Sequence, residues 1–109
     1  MPRKRNHADL EYQAPKPTID QLLDVGKDFN RVSTDFLRVD VATALTFSGI
    51  ALQTDDAVKR QRNRRAARRA YDTIRRFAKH VTLASDDAQM LASDLARLKS
   101  ELQTLGEVF

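Results

Sequence analysis

The 109-residue chain has no cysteine and no tryptophan, and only three glycines, three prolines and two histidines. Without cysteine there is no disulfide, no thiolate metal site and no cysteine nucleophile; the compartment stays open, with the cytoplasm as the default expectation. His7 and His80 stand alone, so a transition-metal centre would need carboxylates for most of its ligands, and neither a metal nor any other cofactor is expected. Gly26, Gly49 and Gly106 are too scattered to cradle a phosphate, and Ser33, Ser48, Ser85 and Ser93 sit in no glycine-rich nucleophile elbow. The uncharged run over residues 41–53 is well short of the roughly 20 apolar residues of a membrane span. The basic start, residues 1–6, is followed by Asp9 and Glu11 rather than by the apolar stretch of a signal peptide.

What remains is a chain 41% hydrophobic and 31% charged, the composition of one compact helical domain. A domain of this size buries roughly 60–70% of its unfolded surface, enough for one core and too little for a core plus a deep substrate pocket. The expectation is a protein that is not an enzyme and has no small-molecule substrate.

Pro15 and Pro17 bias their neighbours to extended backbone, so residues 1–17 read as a disordered basic tail ahead of a helical domain over 18–109. Thr18 with Gln21 fits a capping box, and Ile19, Leu22, Leu23, Gly26, Phe29 and Val32 predict a first helix to about Arg31, with Gly26 permitting close packing. Ser33 and Thr34 are candidate caps for a second helix, whose Leu37, Val41, Ala44, Ser48 and Leu52 recur at helical spacing and leave little polar surface. Thr54, Asp55 and Asp56 cap a third helix, from about Ala57 to His80, with Ala67, Ala70, Tyr71, Ile74, Phe77, Ala78 and Val81 as its apolar stripe. Ser85 caps a fourth, where Leu91, Leu95, Leu98, Leu102 and Leu105 alternate steps of four and three until Gly106. Four amphipathic helices with short connections predict an all-α, up-and-down antiparallel four-helix bundle; three helices plus a dimer partner is the rival arrangement.

Charge is sharply segmented. Residues 18–58 hold seven aspartates against three cations, whereas residues 59–80 hold ten cations against Asp72 alone. At about 100° per residue, Arg62, Arg65, Arg69 and Arg76 fall opposite the apolar stripe of the third helix, and Arg64, Arg68, Arg75 and Lys79 occupy one flank. Like charges four apart, as in Arg60, Arg64 and Arg68, oppose the helix by about 0.2–0.5 kcal/mol per pair. An anion offsets that cost: phosphates paired bidentately with guanidinium, an acidic protein, or the chain's own stripe of Asp20, Asp24 and Asp28.

Arg75 and His80 lie in a segment that resembles the Arg-x4-His motif of HEPN domains. These are helical bundles, many of them ribonucleases that use that Arg and His at a composite dimer site. The resemblance covers six residues, and it implies ribonuclease activity as a remote alternative. On a straight helix Arg75 and His80 would stand about 140° apart.

The leading expectation is an interaction or scaffold protein that self-associates or meets an acidic protein partner through Arg62, Arg64, Arg65, Arg68, Arg69 and Arg76. The alternative is nonspecific nucleic-acid binding by the Arg60–Arg76 helix face, although aromatic side chains interleaved for base stacking are missing there.

Overall fold

The computed structural model describes residues 18–109. They form three α-helices: α1, Ile19–Gln53; α2, Ala57–Ala78; and α3, Ser85–Thr104. The fold is all-α, with no strand among the described residues. The basic tail expected over 1–17 lies outside them.

The described residues supply three helices rather than the expected four, because the chain does not break after Arg31. Ser33 and Thr34 were candidate caps, yet both sit inside a 35-residue helix. The Thr34 hydroxyl donates to Asn30 O at 2.7 Å, and Thr43 and Thr46 bond back to Val39 O and Ala42 O in the same way. A hydroxyl satisfied by the carbonyl four residues earlier has no need of a helix start. With no proline between Thr18 and Thr54, nothing else interrupts the ladder. Gly26 does not mark a close approach either, since a Cβ there would meet nothing within 4 Å.

The ends follow the local chemistry. Thr18 and Gln21 form both bonds of the capping box, Thr18 N donating to Gln21 Oε1 and Gln21 N to Thr18 Oγ1. Asp56 caps α2 by accepting from Val58 N and Lys59 N. The α2 helix ends at Ala78, two residues before the expected His80. Ser85 is the first residue of α3 rather than its cap; Ala84 takes the cap position without a side-chain bond.

The second half of α1 packs antiparallel to α2, and α3 lies against both. Leu37, Val41, Ile74, Val81 and Leu91 make one buried cluster, and Ala44, Ala67, Tyr71, Leu98 and Leu102 make the next, bridged by Ala70 and Leu95. Ser48, fully buried, bonds both Leu45 O and Glu101 Oε1, holding α1 to α3. The first half of α1 is different: Ile19, Phe29 and Val32, expected in the apolar stripe of a first helix, are exposed, and so is Val25. No helix among the described residues is long and apolar enough to cross a membrane.

Candidate functional site

The arginines of α2 divide into two sets, and the division follows from where the chain goes after α3. Gly106, at φ 98°, lets the helix close in a Schellman turn, with Gly106 N bonding Gln103 O at 3.0 Å and Glu107 N bonding Leu102 O at 2.9 Å. That turn throws residues 107–109 back over the flank of α2. Glu107 reaches Arg68 Nη1 through Oε1 at 3.0 Å, and its Oε2 stands 3.2 Å from Arg64 Nε, an ion pair without the alignment of a hydrogen bond. Arg68 also donates from Nε to Asp72 and from Nη1 to Val108 O, while the Phe109 ring covers its guanidinium at 4.1 Å. Burial alone would lower the pKa of Arg68, but the hydrogen bonds from Asp72 and Glu107 outweigh it and the net direction is up.

Arg64 and Arg68, expected to face an anionic partner, are therefore tied into the protein's own structure. The acid that engages them is Glu107, not the Asp20, Asp24 and Asp28 stripe. Sequence reasoning passed over Glu107 and Phe109; the available signal was Gly106, since a glycine ending a helix turns the following residues back along it.

Arg62, Arg65, Arg69 and Arg76 stand in the other set. All four are exposed on the side of α2 away from Ala67, Tyr71 and Ile74, and no carboxylate of the described residues lies within ion-pair distance of them. Fourteen steps of 1.5 Å each make the row about 21 Å long. Arg62 sits near enough to Asp56 to contribute to the lowering of that carboxyl's pKa, after the larger effects of the Lys59 and Val58 amides. Val58, Gln61, Arg62, Arg65 and Arg69 frame an open depression of about 330 Å³. A second of about 350 Å³ includes Arg75, Arg76, Lys79 and Phe109.

Arg75 and His80 are not brought together. The Arg75 guanidinium turns to Tyr71, with Nη1 3.4 Å from the phenol oxygen. His80 lies exposed beyond the helix end, its backbone N–H bonded to Phe77 O. Among the described residues no three His, Asp or Glu side chains converge on a point that could hold a metal ion. Compared with protein-family models, with curated proteins and with solved structures, the chain matches none.

Proposed function

We propose that this is a non-enzymatic helical interaction protein whose cationic row, Arg62, Arg65, Arg69 and Arg76, docks an acidic protein surface. The observation that carries the reading is the missing counter-charge: four guanidinium groups in line, unpaired among the described residues, on the helix whose neighbouring arginines are already engaged. Guanidinium is weakly hydrated and presents fixed donors, so such a row pairs readily with carboxylates. Two features favour an acidic protein over a nucleic acid. Tyr71, the aromatic residue within the stretch of α2 that carries the row, is buried and offers no base-stacking surface. Asp72 stands between Arg69 and Arg76, so separately placed carboxylates suit the row better than a continuous line of phosphates.

The test measures fluorescence anisotropy of a labelled polyglutamate peptide and of a labelled DNA duplex across a salt series. Polyglutamate is expected to bind, and Arg65→Glu with Arg69→Glu to weaken it on the order of tenfold or more while leaving helical circular dichroism intact. Duplex binding that is tighter than polyglutamate binding, with a log–log salt slope of about 0.9 per phosphate contact, would replace the reading with nucleic-acid binding. Unfolding of the double variant would make the arginines structural and end it.

A further inference from the structure

The exposed half of α1 carries a pattern that its own fold does not use. Val25, Phe29, Val32, Phe36 and Val39 are spaced by steps of four, three, four and three, and every one is at least half exposed, from 50% for Phe36 to 64% for Val25 and Val39. Such spacing is the seam by which one helix packs along another. At about 100° per residue this seam lies about a third of a turn around α1 from Leu37, Val41 and Ala44, the face that α2 and α3 cover. Contiguous apolar surface of this kind on a monomer marks an interaction site.

Resting on the reading above, we propose that the acidic surface met by the arginine row is α1 of a second copy of this chain. Charge decides the occupant. Asp24, Asp28 and Asp35 run along one edge of the seam, about 70° further around the helix. Two seams laid directly together would set those aspartates near their own copies, which costs energy. Laid beside α2 of the other copy, the same edge meets Arg62, Arg69 and Arg76. The lengths agree, since residues 25–39 and 62–76 each cover fourteen steps, or about 21 Å. Phe77 gives α2 an apolar edge at that place: it is half-buried and packs edge-on to Phe36 with ring centroids 5.7 Å apart. A two-fold axis makes the exchange mutual, each copy lending its α1 seam and receiving one. Two α1 and two α2 helices then form a four-helix bundle across the pair, with each α3 outside it.

Sedimentation equilibrium of the full chain over a wide concentration range tests this. The expected mass is twice the 12.4 kDa of one chain. Phe29→Asp with Val32→Asp is expected to sediment as a monomer with unchanged helical circular dichroism, because both positions are exposed within one chain. Arg65→Glu with Arg69→Glu is expected to weaken the dimer at least tenfold, and adding Asp24→Arg with Asp28→Arg to restore it. A wild-type chain of monomer mass at every concentration overturns the proposal, as does a dimer indifferent to either double variant. The monomeric Phe29→Asp, Val32→Asp chain separates the two readings. If the wild type is monomeric and this variant binds polyglutamate, the dimer falls and the acidic-partner reading stands; if it binds no polyglutamate, both fall.

Discussion

Arg68 and Glu107 are 39 positions apart in the chain and are joined by a 3.0 Å hydrogen bond that closes residues 107–109 over the flank of α2. Glu107 simultaneously faces Arg64, so one carboxylate holds two cations away from solvent. Glu107→Ala should therefore do two things at once. Thermal unfolding should shift to lower temperature, because Arg64 loses its acid and Arg68 one of its two. Polyglutamate should bind more tightly, because Arg64 becomes available to it. An unchanged melting temperature together with unchanged polyglutamate affinity would show that the closure is dispensable.

Leu98 is completely buried between α1 and α2. Leu98→Ala should cost about 2–5 kcal/mol in urea denaturation, the transfer of the lost methyl groups plus the cavity they leave. Leu95, partly exposed at the junction of the two core clusters, should cost less when truncated. A Leu98→Ala midpoint equal to that of the wild type would take α3 out of the core.

Ser48 is the buried hydroxyl between α1 and α3. Ser48→Ala removes one donor while Glu101 keeps its bond to Arg97 Nε at 3.1 Å, so a loss of about 0.5–1.5 kcal/mol is expected. Ser48→Leu should be worse than Ser48→Ala, because no space exists for added methylenes and overpacking costs about 1–3 kcal/mol. Denaturation midpoints in the reverse order would show that the site has room for the larger side chain.

Gly49 lies inside α1, and a Cβ built on it meets no atom within 4 Å. Gly49→Ala should stabilise the protein by about 0.4–1 kcal/mol, since alanine gives up less backbone freedom on folding. Gly26→Ala should do the same within one chain. A lowered melting temperature at either position would reveal a close neighbour, a second copy included.

Asp56 receives the first amides of α2, and the Lys59 and Val58 N–H groups hold its carboxyl below the ordinary range. Its folded pKa is thus lower than its unfolded one. The stabilisation is complete above the unfolded value and disappears as pH falls through the folded value. Asp56→Ala should lower the melting temperature at neutral pH, and the gap to the wild type should narrow toward pH 2. A gap that stays constant on acidification would mean that the carboxylate does not act as the cap.

Much of this architecture can be read from local spacing. The stripe Ala67, Tyr71, Ile74 and Val81 and the leucines Leu91, Leu98 and Leu102 are buried as their periodicity predicts, because an amphipathic helix has one way to hide its apolar face. The capping box at Thr18 and the cap at Asp56 are equally local, formed between residues two or three apart. Thr34 misled for a physical reason: the same hydroxyl that caps a helix start also serves a helix interior by bonding backwards, and sequence does not distinguish the two uses.

Sequence alone determined the helical class, the core faces of α2 and α3, and the presence of a cationic half-cylinder between residues 60 and 76. Tertiary structure decided which of those cations face outward. Helical periodicity already sets Arg64 and Arg68 on a flank and Arg62, Arg65, Arg69 and Arg76 opposite the core, but only the antiparallel return of α3 and the turn at Gly106 bring Glu107 to Arg64 and Arg68. It also decided that Val25, Phe29 and Val32 stay exposed, because α2 ends beside Phe36 and no other helix of the described residues runs alongside the first half of α1. Helical periodicity is set by neighbours three and four residues away, whereas the partner of a surface is set by where distant segments come to rest.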